Sequence, residues 1–233
     1  MITESLRAYK CAVCGKISRH PIVQCTKVLG ARDLDTRPPE TFRLTMNAWV
    51  QECPHCGYVA SKLSDRSQLA QEVMETESYQ TCDGVPFPSE LGARFYRLYL
   101  IKRRERDYLN AFWSALEAAW DADDHAAFEV ATKLRNLALE QLDKLLAEKP
   151  KEESLQLIRV DVLRRASQFE TAESYAQTLS FTDPFLQTLA NAEIKLARER
   201  DSKCYKITDV VKTEEYEKAE QVEKAKRIEK TGE

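Results

Sequence analysis

The sequence predicts an α+β fold in which a small β module at the N-terminus is followed by an all-α domain. Two closely spaced cysteine pairs lie within the first 56 residues, among segments with β-strand character. Beyond residue 92, glycine and proline are scarce and apolar residues recur every three or four positions, which is the period of an amphipathic helix. These observations place a short β region first and a longer helical region after it.

The cysteine pairs are Cys-Ala-Val-Cys-Gly, beginning at Cys11, and Cys-Pro-His-Cys-Gly, beginning at Cys53. A spacing of two residues lets both thiolates of a pair bind one tetrahedral metal ion from a tight turn. Glycine follows each pair, where such a turn requires a positive φ angle. Two such pairs in one chain predict a zinc ribbon. Its predicted ligands are Cys11, Cys14, Cys53 and Cys56.

Zinc is the preferred metal for this ligand set because four soft thiolates fill its tetrahedral shell. A closed shell leaves no position for water, so a single Zn²⁺ here is expected to be structural and to stabilise the fold by about 10 kcal/mol or more. A rubredoxin-like iron site fits the same pattern and is the main alternative metal. A redox dithiol is less favoured because that motif is usually a single pair near a βαβ unit. Haem attachment is excluded because glycine, not histidine, follows each pair.

The insert between the pairs, which spans 38 residues from Gly15 to Glu52, exceeds the usual ribbon spacing of about 15–20 residues. Residues 22–29 and 42–51 are predicted strands of a small antiparallel sheet that carries both cysteine turns. The prolines of residues 37–39 are incompatible with a central strand and predict a loop between them.

Other cysteines and histidines are expected to lie outside the metal site. Four ligands suffice, so Cys25 is predicted to be a small buried residue and His20 a bystander. His55 lies between two ligands and is expected to face solvent. Cys82 and Cys204 are distant in the sequence and are predicted to be free thiols, as expected in a reducing compartment.

Composition shifts and breaker residues divide the chain into four predicted parts. These are a zinc ribbon at 1–62, a helix and connector at 63–88, a helical domain at 89–211 and a charged tail at 212–233. The predicted helices cover about 64–79, 90–120 (as one or two helices), 126–148, 152–166, 169–179 and 184–201. Ser89 and Asp183 are predicted N-caps, the latter with proline at the first helical position.

Within the helical region, an apolar stripe predicts a core face. Its members, Tyr108, Phe112, Leu116 and Trp120, recur every four residues. The segment 121–125 is predicted to be a turn in which three aspartates serve as turn and cap residues. The tail can form a helix through Glu-to-Lys pairs such as Glu214–Lys218 and Glu220–Lys224, but offers little to bury.

The segment 164–172, Arg-Arg-Ala-Ser-Gln-Phe-Glu-Thr-Ala, resembles the junction of a tetratricopeptide repeat, with a small residue, a short turn, an aromatic residue and alanine. The interval of 44 residues from Ala122 to Ala166 is longer than the standard repeat of about 34, so the domain is described as tetratricopeptide-like. Helix pairs of this kind typically bind a protein or peptide partner.

The chain also resembles a bacterial zinc-ribbon family of unknown function with C-terminal tetratricopeptide-like helices. The resemblance is carried by the two cysteine-glycine turns, by Tyr58 after the second and by Trp49 before it, and it covers roughly residues 5–205. It implies that the four cysteines bind zinc, and it implies no catalytic residue.

Charge and composition favour a cytoplasmic protein that is not an enzyme. The net charge is −3, and no apolar run of about 18 residues or basic, apolar leader is present, so no membrane association is expected. The sequence contains no Gly-rich phosphate loop, nucleophile elbow or His-Glu-x-x-His motif. The predicted function is therefore a zinc-binding scaffold for a protein or peptide partner.

The alternative is a nucleic-acid-associated regulator that uses the ribbon and the basic, aromatic segment 94–106. Arg97, Arg103 and Arg104 are its candidate contacts. At about 100° per residue the basic side chains spread around the helix, and the chain lacks a strongly basic balance, so this alternative is not favoured.

Overall fold

The structure is a computed structural model that describes residues 2–26 and 29–221. It confirms the predicted α+β class, because short antiparallel strands precede a mainly helical chain. Its described residues form two compact units, which we call the first unit (2–26, 29 and 40–150) and the second unit (30–39 and 151–221). The predicted limits at residues 62, 88 and 211 stay a prediction.

Two separate two-stranded sheets form the β part of the first unit. The strands are β1 (Ile2–Lys10), β2 (Ile17–Thr26), β3 (Gln51–Glu52) and β4 (Val59–Ala60). β1 pairs antiparallel with β2, with Lys10 opposite Ile17, and β3 pairs with β4, with Glu52 opposite Val59. Each cysteine pair therefore lies in the turn of its own hairpin.

The prediction of a strand at 42–51 is wrong. This segment begins within helix α1 (Glu40–Arg43) and continues through a 3₁₀ turn at Met46–Ala48. The Thr45 hydroxyl donates to the carbonyl of Phe42 at 2.7 Å and accepts from Trp49 Nε1 at 2.9 Å. These local side-chain bonds favour a turn over an extended strand.

The helices of the first unit are α2 (Ala70–Met74), α3 (Glu77–Thr81), α4 (Glu90–Glu105), α5 (Tyr108–Asp124) and α6 (Phe128–Glu148). The single helix predicted at 64–79 is wrong, since two short helices meet at the N-cap Thr76. The predicted cap Ser89 is confirmed, because its hydroxyl accepts from the N–H groups of Leu91 and Gly92. In the predicted core stripe Phe112, Leu116 and Trp120 are buried, as expected, whereas Tyr108 is partly exposed.

The prediction of a turn at 121–125 is wrong, because α5 continues to Asp124. Asp121 is buried, and its Oδ2 accepts a hydrogen bond from the Ser89 hydroxyl at 2.7 Å. Asp123 pairs with Arg135 of α6. These aspartates therefore tie α5 to the start of α4 and to α6, instead of forming a turn.

The helices of the second unit are α7 (Glu153–Arg165), α8 (Phe169–Thr178), α9 (Pro184–Arg198) and α10 (Ile207–Val210), and residues 213–221 are helical. Asp183 caps α9 as predicted, with its side chain accepting from the N–H of Phe185. In the described part of the tail, residues 212–221, Tyr216 alone is buried; it is 7 % exposed and belongs to the unit's core. Of the predicted Glu220–Lys224 pair, Lys224 lies outside the described residues.

The segment 30–39, predicted to be a loop, is a structural part of the second unit. The N–H of Leu34 donates to the carbonyl of Tyr205 at 3.0 Å, and the N–H of Ile207 donates to the carbonyl of Arg32 at 2.9 Å. Asp35, 1 % exposed, forms an ion pair with Arg165 of α7 at 2.9 Å. Part of the insert between the cysteine pairs thus completes the C-terminal helical unit.

A buried ionic network centred on Arg164 joins the helices of the second unit. The guanidinium is fully buried, and it donates to Glu193 at 2.7 Å and to Asp161 at 2.6 Å. It also donates to the carbonyls of Asp201 and Lys203, at 2.7 and 2.9 Å. Arg164 therefore connects α7, α9 and the segment after α9 through four hydrogen bonds.

Four helices end in the same turn without glycine. Arg106, Ala126, Ser167 and Arg200 have positive φ angles of 59°, 55°, 61° and 54°. In each turn, the N–H of this residue donates to the carbonyl three positions earlier. The N–H of the following residue donates to the carbonyl five positions before it, and the two bonds together form the Schellman motif. The turn at Ser167 joins α7 to α8 at the junction that resembles a tetratricopeptide repeat.

Arg164→Met is expected to lower the free energy of unfolding by about 3 kcal/mol or more, because it leaves two carboxylates buried without their cation. Arg198→Ala, which breaks the exposed pair between Arg198 and Glu173, is the matched control and should cost less than about 1 kcal/mol. Urea denaturation followed by circular dichroism measures both values. Equal losses would contradict a central role for the Arg164 network.

Ala126→Gly is expected to raise the free energy of unfolding by about 0.5–1 kcal/mol, because glycine relieves the left-handed strain of the exposed Ala126. Ala147→Gly, at an exposed position inside α6, should lower it by a similar amount, since glycine is less favourable there. Thermal and urea denaturation test the pair. If Ala126→Gly also lost stability, the strain argument would be wrong.

Candidate metal centre

The two cysteine turns have the same backbone geometry. In the first, the N–H of Gly15 donates to the carbonyl of Cys11 at 3.0 Å, and in the second the N–H of Gly57 donates to the carbonyl of Cys53 at 2.9 Å. The φ angles of the two glycines are +73° and +74°, as the sequence predicts. A residue with a Cβ is strained in this region, which explains why glycine follows each pair. The two hairpins therefore present their cysteines in equivalent turns.

Four sulfur atoms meet between the hairpins, all within 4.8 Å of one another. The closest pairs combine one cysteine from each turn: Cys11 with Cys56 and Cys14 with Cys53, both at 3.7 Å. A disulfide requires a separation of about 2.05 Å, so these sulfurs are not bonded to each other. Four thiolates at about 2.3 Å from a central Zn²⁺ lie about 3.8 Å apart in a regular tetrahedron. The observed spacing matches such a shell, and this donor set fits a thiophilic metal ion.

Burial and backbone hydrogen bonds shift the pKa values of Cys14, Cys53 and Cys56 in opposite directions. Burial raises the pKa of Cys53, and it raises that of Cys56 to about 12. A hydrogen bond from the backbone of Lys16 lowers the pKa of Cys14 to about 7. The backbone of Tyr58 bonds to Cys56 at the equivalent position of the second turn and opposes the effect of burial there. Each turn thus supplies a backbone N–H group that stabilises one thiolate. Burial raises the free energy of several thiolates that lie together without a cation, so it favours a bound cation among them.

The second cysteine turn is held by the residues that follow it in the first unit. The Tyr79 hydroxyl donates to the carbonyl of Gly57 at 2.7 Å, and the Tyr58 hydroxyl donates to that of Asp65 at 2.8 Å. The N–H of Ala12 in the first turn donates to the carbonyl of Leu63 at 2.8 Å. Segment 58–82 therefore supports both turns, a role that the sequence analysis missed because these contacts depend on distant backbone carbonyls.

The remaining cysteines and histidines lie outside the four-sulfur cluster. The prediction that Cys25 is buried is wrong, because it lies near the end of β2 and is exposed. His20 bonds to the Ser18 hydroxyl at 2.8 Å, and His55 is exposed, as expected. Cys82 and Cys204 are free thiols, as predicted.

The three arginines proposed for nucleic-acid contact lie on α4 with intramolecular partners. Arg97 forms an ion pair with Glu52 at 3.6 Å, and Arg104 pairs with Glu72. Arg103 lies over the ring of Tyr99 and donates to its hydroxyl at 3.4 Å. Arg103 and Arg104 line one open cavity with Arg106 and Lys144, and Glu72 and Glu140 line the same cavity, whereas Arg97 does not.

Comparison with protein families, with functionally described proteins and with solved structures finds no match to this chain. The resemblance to a bacterial zinc-ribbon family stays a prediction. Among the residues that the structure describes, no helix combines the length and apolar character needed to cross a bilayer.

Proposed function

We propose that the chain is a cytoplasmic, non-enzymatic zinc protein in which one structural Zn²⁺ closes the N-terminal ribbon and the helices bind a protein or peptide partner. The observation that carries the metal proposal is the cluster of four sulfurs, with cross-pair distances of 3.7 Å. Thiolates select zinc over hard cations, and four of them leave no coordination position for a substrate or water.

The hairpins support a structural role for this metal. β3 and β4 have two residues each, and an isolated two-stranded hairpin is marginally stable in water. Binding one ion at both turns contributes folding free energy to the second hairpin, where β3 and β4 themselves contribute little. Cys11, Cys14, Cys53 and Cys56 would hold the ion, and the backbone donors at Lys16 and Tyr58 would stabilise two of the thiolates.

The helical part supports the partner proposal by its architecture. Both units pair successive helices through short turns, as do proteins that present helical surfaces to peptides. In the first unit, Phe128 at the start of α6 is 66 % exposed and Leu109 on α5 is 38 % exposed. Aromatic side chains are enriched in the contact surfaces of protein partners.

A nucleic-acid-associated role is the less supported alternative. Two of its three candidate arginines already have carboxylate partners, Glu52 and Glu72. A nucleic acid would have to displace these pairs to reach Arg97 and Arg104.

Cys53→Ser is expected to abolish stoichiometric zinc binding and to unfold the ribbon, because it removes a buried ligand. Cys25→Ser is the matched control, since Cys25 is exposed and outside the cluster, and it should retain one Zn²⁺ per chain. Elemental mass spectrometry measures the metal, and ¹H–¹⁵N NMR reports on the ribbon. Co²⁺ in place of Zn²⁺ should show the visible bands of a tetrahedral tetrathiolate complex. A Cys53→Ser protein that is folded and free of zinc would contradict the structural-zinc proposal.

We expect affinity capture of the full chain from its native cells to recover a protein partner that stays bound after nuclease treatment. Cross-linking mass spectrometry should then show cross-links between this partner and residues 89–211. Cross-links confined to residues 1–62 would contradict the proposed binding surface. In parallel, fluorescence anisotropy with single-stranded RNA and duplex DNA is expected to show no saturable binding at moderate salt. Steeply salt-dependent binding that Arg103→Ala and Arg104→Ala weaken would support the regulator instead.

A further inference from the structure

A cavity of about 280 Å³ lies within the first unit, and none of the four clustered cysteines lines it. Its walls come from four segments: the 3₁₀ region near Trp49, the residues that follow the second cysteine turn, α4 and α5. Leu98 and Ile101 of α4 are buried and form an apolar part of the wall. A cavity of this size lies near the lower end of the range for small-molecule sites.

Three aromatic side chains line the cavity: Trp49, Tyr58 and Trp113. Separate contacts hold each ring. Trp49 donates to the Thr45 hydroxyl, Tyr58 donates to a backbone carbonyl, and Trp113 packs against Phe112 with 4.8 Å between the ring centroids. Rings fixed in this way present π-electron density to a ligand without further loss of side-chain entropy.

Glu117 lines the same cavity from α5, one helical turn after Trp113. It is partly buried, and in the part of the chain that the structure describes its carboxylate has neither a hydrogen-bond nor an ion-pair partner. Burial raises the pKa of Glu117 to about 8, with no neighbouring cation to oppose the effect. Partial burial without a partner disfavours the ionised carboxylate, and a bound cation would offset that cost.

The other charged and titratable groups around the cavity do not neutralise Glu117. Lys102 of α4 forms ion pairs with Glu105 at 2.8 Å and Asp107 at 3.7 Å, neither of which lines the cavity. Asp65 and Arg66 are exposed and opposite in charge. Glu117 is therefore the uncompensated charge.

We propose that this cavity binds an organic ammonium group, held by the Glu117 carboxylate and by the faces of Trp49, Tyr58 and Trp113. Aromatic rings attract ammonium groups through cation–π interaction, and a carboxylate adds a charge-assisted hydrogen bond. A hard metal cation is disfavoured because it requires several oxygen ligands, and an anion would be repelled by Glu117. The ammonium group belongs either to a small free amine or to a lysine side chain, and the two sources share this chemistry.

The test is a titration of the zinc-supplemented full chain with n-butylammonium, followed by tryptophan fluorescence and calorimetry. Two of the three tryptophans line the cavity, so binding should change the emission. Glu117→Gln should weaken binding at least tenfold, whereas Glu129→Gln, at an exposed position on α6, should leave it unchanged. 1-Butanol, which has the same chain without the charge, should not bind measurably. Equal binding of butanol, or full binding by Glu117→Gln, would overturn the proposal.

A pH series provides a second measurement that does not depend on the folding of a variant. The alkylammonium group keeps its proton to about pH 10, whereas Glu117 must lose its proton to pair with it. The affinity of the wild-type chain should therefore rise at least tenfold between pH 6 and pH 8. A flat profile would contradict the role of Glu117.

Nα-acetyl-lysine methylamide distinguishes the two sources. If it binds as well as n-butylammonium, the cavity fits a lysine side chain of a partner; if only n-butylammonium binds, the ligand is a free amine. The proposal is wrong if neither compound binds. The cavity and the four sulfurs are separate, so loss of zinc binding in Cys53→Ser and loss of amine binding in Glu117→Gln are distinguishable results.

Discussion

The approach of four cysteine sulfurs to within 4.8 Å constrains the whole N-terminal part of the chain. It brings together two hairpin turns that are separated by 38 residues, and closing so long a loop costs entropy that the short strands β3 and β4 offset poorly. Segment 58–82 holds both turns from outside: the Tyr79 hydroxyl donates to the carbonyl of Gly57, and the carbonyl of Leu63 accepts from the N–H of Ala12. The proposed metal would supply the remaining stabilisation at the point where both turns meet.

In the second unit, buried ion pairs hold together segments that are distant in the sequence, as the sulfur cluster does in the first unit. Segment 30–39 contributes Asp33 and Asp35, both at most 2 % exposed, and Arg164 and Arg165 provide buried cations on α7. A protein interior tolerates such charged groups only when each has a partner of opposite charge in good hydrogen-bonding geometry. The arrangement therefore specifies one position for an insert that would otherwise be a free loop.

The two proposed sites of the first unit differ in chemistry. The sulfur cluster is a closed set of soft donors suited to a structural cation, whereas the cavity beside Glu117 is open to a small ligand and combines aromatic faces with one carboxylate. Tyr58 connects the two regions, because it follows the second cysteine turn and lines the cavity. The ribbon can therefore position one wall of a binding site as well as stabilise its own fold.

Local sequence patterns determined the cysteine turns, the glycines with positive φ, the α+β class and caps such as Ser89 and Asp183, because each depends on residues within a few positions of one another. Tertiary contacts decided the rest. Whether the aspartates after Trp120 form a turn or extend a helix depends on Ser89 and Arg135, which lie elsewhere in the chain. The membership of segment 30–39 in the C-terminal unit likewise depends on backbone pairing with residues 205–207. The surroundings of the Glu117 carboxylate depend on four segments that converge at the cavity. Periodicity carries no information on such long-range pairings, so they follow from the three-dimensional packing alone.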